Sequence, residues 1–367
     1  MNWLQDKAVD RLREEAELPD LGGSKYMVLH KLGSGGMGTV YLAQDTDLGR
    51  KVAVKVMNIS DSTGSLASRM IREARIVALL EHPSIVPIHD VGALEDGRVY
   101  YAMKLVQGNR LDEFAAGADS TSDLLRIFQK VCEAVAFAHA RGVIHRDLKP
   151  ENIMVGPFGE VLVMDWGVAK VLGEERIDSP ERLRTGGDEL RAIDDADLIA
   201  TLPLASSRES GDTSSGMVIG TPAYMAPEQA MGKTELLDQR SDVYALGAVL
   251  YFLLAGRAPF NSTPTADAVQ ESRRNPPPRP RQINSRIPRA IEAVCLKAMS
   301  DGRADRYASA EEVAGDVVSF LDGRPVSAYR ENVFEKAGRW LGKNRFIVLL
   351  ILTYLITRLV VFFWMGR

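Results

Sequence analysis

Nine residues constrain this chain more than any other stretch: Ile144 to Asn152, which read I-H-R-D-L-K-P-E-N. They place an acid, a cation and an amide close together at Asp147, Lys149 and Asn152. Asp147 can accept a proton from an attacking hydroxyl. Lys149 can neutralise charge that builds on a transferring phosphoryl group. Asn152 offers an amide oxygen to a hard cation such as magnesium. A charged surface turn ahead of a strand could carry the same residues, so the stretch takes its meaning from what flanks it.

Upstream, Tyr26 to Leu32 alternates as a strand and runs into Gly33-Ser34-Gly35-Gly36-Met37-Gly38-Thr39-Val40. Glycines let a backbone approach phosphates closely and turn amide groups toward them. A lone G-x-G-x-x-G can also open a dinucleotide-binding fold, but there it leads into a helix. Here it leads into the strand-like Val40-Tyr41-Leu42-Ala43, and a second strand, Val52-Ala53-Val54-Lys55, follows a polar turn. No G-x-x-x-x-G-K-[ST] occurs, which disfavours a P-loop enzyme. Downstream, the apolar run Val161 to Met164 delivers Asp165-Trp166-Gly167, and Gly220 to Glu228 reads G-T-P-A-Y-M-A-P-E. In this order and spacing the motifs resemble the protein kinase superfamily, and more narrowly the bacterial Ser/Thr kinases of eukaryotic type. The resemblance runs from about Tyr26 to about Tyr329.

The resemblance implies an α+β fold of two lobes, a β-rich N-lobe over 26–106 and a helical C-lobe over 107–329. ATP would lie between them. Leu32, Gly33, Ser34, Gly35, Gly36, Met37, Gly38 and Thr39 would cover it, with Val40 and Ala53 against the adenine. Lys55 would contact the α- and β-phosphates and be held there by Glu73, from a helix expected over Leu66 to Leu80. Met103 matches the gatekeeper at the back of the adenine pocket, and Lys104 to Val106 match the hinge. Lys104 departs from the usual Glu, which is tolerable because the hinge binds through main-chain atoms. Asp147 would be the base and Lys149 its cationic neighbour. Asp165 and Asn152 would hold magnesium, with manganese as an alternative. Trp166 stands where the family usually has Phe. Thr221 is expected to bond with Asp147 and Lys149 and to help position the substrate. Lys149 and Thr221 together favour Ser/Thr over Tyr specificity. A pseudokinase scaffold would need a lost Lys55, Asp147 or Asp165, and a small-molecule phosphotransferase of this fold would lack the A-P-E segment; all are present.

Other residues read as support. Leu124 to Ala140 and Val243 to Leu254 are long apolar stretches expected to be C-lobe helices. His139 and His145 are expected to pack rather than catalyse. Asp242 should tie back to the catalytic-loop backbone, and Glu228 should meet Arg306. Residues 173–216 lack aromatics and are crowded with Glu, Asp, Ser and Thr. Such a stretch buries too little apolar area to offset its ordering entropy, which points to an expanded activation loop. A metal site in its acidic run, Asp194 to Asp197, is the alternative. Arg146 precedes the base, an arrangement associated in the family with activation-loop phosphorylation. Thr213 and Ser215 are the candidate autophosphorylation sites, and self-association for phosphorylation in trans is an option. The expected partners are protein substrates.

Composition bounds the remainder. The formal net charge of -4 gives no global basicity that would suggest nucleic acid. Cys132 and Cys295 are the only cysteines and sit in apolar runs, which favours buried thiols in a reducing compartment. Residues 1–25 read as an extension with an amphipathic stretch over Asn2 to Leu18, and Met1 to Asp10 do not read as a signal peptide. Residues 330–345 form a basic juxtamembrane segment and 346–365 an apolar run long enough to span a bilayer, about 30 Å as a helix. Arg358 interrupts it at a cost of about 2.5–3.5 kcal/mol. Four Leu, Ile or Phe give back roughly 1–2 kcal/mol, and the run holds more than four, so insertion is expected to win. Lys336, Arg339, Lys343 and Arg345 precede the run while Arg367 alone follows it, so the kinase side should face the cytoplasm. Its input would then come from the cytoplasm, the membrane or a partner.

Overall fold

A computed structural model describes residues 19, 21, 23–35, 38–60, 71, 74, 77–94, 96–118, 120–166, 170–171, 222–260, 276–333, 335–338 and 345–365. Gly36, Met37, Glu73, Thr213, Ser215 and Thr221 lie outside the described residues, as do the stretches 1–18 and 173–216.

In the N-lobe, β1 (Tyr26–Gly35), β2 (Gly38–Asp45), β3 (Arg50–Ser60), β4 (Ile88–Ala93) and β5 (Arg98–Lys104) form an antiparallel sheet in the order β1-β2-β3-β5-β4. Successive side chains of a strand point to opposite faces, and in β3 both faces are covered. Val52, Val54 and Val56 pack with Tyr26, Tyr41 and Tyr100 and with Leu21 from the N-terminal extension. Ala53 and Met57 pack on the other side with Val86, Val99, Tyr101 and Met103. Lys55 falls on this second face, between Ala53 and Met57, and is the one charge in V-A-V-K-V-M. The glycines of the β1–β2 hairpin serve different ends. A Cβ on Gly38 would meet the Val56 carbonyl oxygen at 2.5 Å, so the neighbouring strand itself demands glycine. A Cβ on Gly33 or Gly35 would meet open space, which leaves room for a ligand.

The C-lobe begins with β6 (Asn109–Arg110), α1 (Leu111–Ala116) and α2 (Thr121–Ala140). Helix α2 starts three residues before the expected Leu124 because the Ser120 hydroxyl caps it, accepting the Asp123 N–H at 3.2 Å. Then follow β7 (Val143–Ile144), β8 (Ile153–Val155), β9 (Val161–Val163) and β10 (Lys170–Val171). Strands β6, β8 and β9 form a small sheet, and β7 pairs with β10. After the single turn α3 (Pro227–Ala230) comes α4 (Gln239–Ala255), capped by Asp238, which accepts the Arg240 N–H at 2.8 Å. It stops at Gly256, whose φ of 71° suits a residue without a side chain. Helix α4 is apolar around nearly its whole circumference and is the buried axle of the lobe. The short α5 (Pro280–Ile283), then α6 (Arg289–Ala298) and α7 (Ala310–Leu321), complete the lobe, and side chains of α2, α4, α6 and α7 share one core.

Beyond α7 the chain stays attached. The Asp316 carboxylate accepts from the Tyr307 hydroxyl at 2.6 Å, the Ser327 N–H at 2.7 Å, the Ser327 hydroxyl at 2.8 Å and the Ala328 N–H at 3.1 Å. Asn332 and Glu335 cap each other, at 3.0 Å and 2.8 Å. Glu335 also accepts from the Tyr329 hydroxyl at 3.0 Å and lies 3.6 Å from Arg289 of α6. The last helix, α8 (Arg345–Met365), has 21 residues and exposes Leu349, Leu350, Leu352, Leu355, Leu359 and Phe362. Among the described residues no helix is long and apolar enough to cross a membrane. Within α8 the side chains are described without a break only over 348–359.

Candidate active site

The two lobes meet at Lys55 and Asp165. Register sets Lys55 opposite Val40 of β2 and Tyr101 of β5, which aims its side chain at the cleft face. It is 5% exposed and its ammonium pairs with the Asp165 carboxylate. The expected partner of Lys55, Glu73, is outside the described residues; among the described residues its acid is Asp165. Asp165 holds φ at 60°, a left-handed conformation that Asp tolerates better than most residues. The Tyr101 hydroxyl donates to the same carboxylate oxygen at 3.4 Å. Burial first, and then Asp165, push the Tyr101 phenol well above its ordinary pKa, so it stays a donor. Tyr101 was not singled out from sequence. Its signal is the register with Lys55, which appears only once β3 and β5 are paired.

Around the cleft, Ser34 and Thr39 hydroxyls approach to 3.3 Å across the glycine hairpin. Leu32 is exposed, Val40 is half-buried, and Ala53 and Met103 are buried beneath them. Of the hinge groups, the Lys104 N–H is already bonded to the Pro87 carbonyl at 3.0 Å. Val106 follows it, half-buried against the same cluster as Met103. A largely apolar cavity lined by Met57, Val77, Val86, Met103, Asp165 and Trp166 lies beside the gatekeeper position.

The loop that carries Asp147 is organised on buried Asp242, near the start of α4. Its carboxylate accepts the His145 N–H at 2.7 Å and the Arg146 N–H at 2.9 Å, and meets His139 Nε2 at 2.8 Å. Burial alone would raise its pKa. The His139 hydrogen bond, the charges of both histidines and the His145 N–H outweigh burial and hold it below the usual carboxylate range. His145 is also bound through its ring, accepting from the Asp147 N–H at 3.3 Å and donating to the Met164 carbonyl at 3.0 Å. Both histidines are buried and bond through their rings to Asp242 or to backbone groups, the packing roles expected of them.

Asp147 then presents its carboxylate beside Lys149 Nζ at 3.0 Å and Asn152 Nδ2 at 3.2 Å. Asn152 Nδ2 also donates to the Asp147 carbonyl at 2.7 Å. With the amide nitrogen turned to Asp147, its oxygen is the atom left for a cation. Among the described residues no cluster of three His, Cys, Asp or Glu could hold a metal. Magnesium needs no such cluster, since it binds through one or two protein oxygens with phosphate oxygens and water completing its shell. Asp165 and Asn152 fit that donor set.

Trp166 is 3% exposed. Its ring lies 4.5 Å from that of His145, and its N–H donates to the Val163 carbonyl at 3.2 Å. That carbonyl also accepts the Val86 N–H at 3.1 Å, so one oxygen joins the turn carrying Asp165 and Trp166 to the segment leading into β4. Farther out, Arg306 holds Glu228 through two parallel bonds of 2.8 and 2.9 Å, and the Ser241 hydroxyl adds a third at 2.8 Å.

Comparison with known proteins agrees with this geometry. The family model described as "Protein kinase domain" matches residues 26–183 and 203–313. The chain is 34% identical over 321 residues to serine/threonine-protein kinase PknD of Protochlamydia amoebophila, covering 82% of this chain and 30% of that protein. It is 36% identical over 321 residues to the probable serine/threonine-protein kinase PknB of Bifidobacterium longum, covering 84% and 41%. The chain thus spans less than half the length of these relatives. Among solved structures, the PknI kinase domain of Mycobacterium tuberculosis superposes with a TM-score of 0.56 at 25% identity, covering 80% of this chain and 96% of that one.

Proposed function

The chain belongs to the protein kinase family, and from that premise we propose that it transfers the γ-phosphoryl group of ATP to Ser or Thr hydroxyls of proteins. The observation that carries the proposal is the convergence in one cleft of Lys55 and Asp165 with Asp147, Lys149 and Asn152. The substrate hydroxyl gives its proton to Asp147 as its oxygen bonds the γ-phosphorus, while the bond to the β-phosphate oxygen breaks and ADP leaves. Lys149 offsets charge on the transferring group, and Lys55 orients the nontransferred phosphates. Magnesium, when bound, would supply further charge stabilisation between the phosphates and would be held by Asp165 and Asn152. Catalysis is then mostly positioning and electrostatics. Incubation with labelled ATP and magnesium, followed by phosphosite mapping, tests the reading. Phosphoserine or phosphothreonine at Thr213 or Ser215 would support activation-loop autophosphorylation, including its trans form. No label on the chain or on a panel of basic and acidic protein substrates would remove the activity.

The same reading keeps 26–329 as the kinase domain after an extension at 1–25, with a basic segment at 330–345 leading to a membrane anchor at 346–365. What supports the anchor is the sequence over 346–365, a mainly apolar run that would reach about 30 Å as a helix. Over 349–359 the exposed side chains of α8 are apolar except at Thr353, Tyr354, Thr357 and Arg358, and Thr353 and Thr357 bond their own helix carbonyls at 2.8 and 2.7 Å. The excess of Lys and Arg before it would place the kinase domain in the cytoplasm. Protease added to intact cells should then leave that domain uncut. Its digestion without lysis would reverse the topology, and full recovery in the soluble fraction would remove the anchor.

A further inference from the structure

We infer that Gln229 is a positioning residue for the catalytic base, an inference that rests on the proposed phosphoryl transfer. The starting point is Arg146, whose φ of 69° lies in the left-handed region, where its Cβ crowds the following carbonyl oxygen. A residue persists there only when its surroundings over-determine it. Its N–H is held by Asp242 Oδ1 at 2.9 Å. Its carbonyl accepts from the Gln229 side-chain amide, which reaches it across 83 positions of sequence. The next N–H, that of Asp147, is held by the His145 ring at 3.3 Å. The peptide plane joining Arg146 to Asp147 is therefore pinned at both ends, by Gln229 on its oxygen and by His145 on its nitrogen. That plane sets the direction in which the Asp147 side chain leaves the backbone.

Gln229 is itself well placed to act as a fixed point. It sits on α3, directly after Glu228, and Glu228 is locked by Arg306 and Ser241 inside the lobe. The chain that enters α3 comes from the Thr221 segment, expected to lie against the substrate. Gln229 thus links the end of the activation segment to the backbone of the base through one hydrogen bond. The chemistry is specific, because a carbonyl only accepts and the contact demands a donor. Glutamate at this position has nearly the same shape but offers no donor at neutral pH.

The test uses the full chain with Gln229→Met, Gln229→Glu and Gln229→Lys, reading kcat and KM for ATP, and hydrogen exchange over 143–148. Met and Glu are expected to lower kcat tenfold or more, with the KM for ATP within twofold of the parent and faster exchange in the loop. Lys, which restores a donor, should recover part of the lost kcat. A kcat within twofold of the parent for Gln229→Met, or loop exchange unchanged in it, would overturn the inference. A parallel fall in ATP affinity and melting temperature would also overturn it, by showing a role in folding alone. Absence of transfer by the parent counts against the proposed function instead, and the exchange measurement still decides whether Gln229 holds the loop.

Discussion

Asp147 carries its carboxylate between an ammonium and an amide, at 3.0 and 3.2 Å, and both neighbours are donors that an asparagine could only partly satisfy. Asp147→Asn should lower transfer by about 10²–10⁴-fold, the usual worth of a general base, with ATP affinity nearly unchanged. Parallel turnover and nucleotide-titration measurements check it. Trp166 makes a second residue-scale case. Trp166→Phe keeps a ring against His145 but removes the donor to the Val163 carbonyl, which retains the Val86 N–H. The expected loss is about 0.5–1.5 kcal/mol in a denaturant titration, with faster hydrogen exchange at 163–166. Asp147, Lys149, Asn152 and Asp165 were legible because their chemistry is written in short contiguous motifs. Tyr101 and Gln229 were not, since each acts on a residue far away in sequence and neither has a motif of its own.

Among the elements, α4 organises the most. Through Asp242 it fixes the loop carrying Asp147, and through Ser241 it touches Glu228, so adjacent residues serve two different motifs. Its apolar run was plain in the sequence, and the expected Val243 to Leu254 widened to Gln239–Ala255 because caps rather than hydrophobicity end it. The glycine hairpin shows where such reading falls short. Its glycines were assigned to phosphate approach, yet Gly38 is also demanded by the Val56 carbonyl, a contact no periodicity reveals. The Glu228–Arg306 pair bolts the end of the activation segment to the segment before α7. Burial raises the Glu228 pKa, and the Arg306 bonds more than reverse it, leaving it below the ordinary range. Arg306→Ala would strand a buried carboxylate and should cost about 3–5 kcal/mol, read from a denaturant midpoint. A carboxyl with a depressed folded pKa stabilises above its unfolded value of about 4.3 and loses that contribution as pH falls through the folded value. The gap between parent and variant should accordingly narrow in acid.

At the scale of the whole molecule, the lobes are joined where charge is concentrated, by Lys55 on a sheet face and Asp165 at the end of β9. The order of motifs foretold that both residues would face one cleft between the lobes, but not their ion pair: Lys55 was expected to pair with Glu73, which lies outside the described residues. The path after α7 had no such forecast. It depends on Asp316 meeting Ser327 and Ala328, and on Glu335 meeting Tyr329 and Arg289, pairings that only the folded lobe brings together. A fragment ending at 322 should melt lower than one ending at 338, by the equivalent of about 2–4 kcal/mol. The shorter fragment lacks Val326, which packs into the lobe, and leaves Asp316 without three of its donors. Equal melting temperatures would show the tail to be dispensable. The same bracket bears on reach. Under the proposed anchor at 346–365, chain that Asp316 and Glu335 clamp to the lobe could not pay out as tether, which would limit how far the cleft could stand from the bilayer. Substrates would then be selected partly by how far their hydroxyls stand from the bilayer.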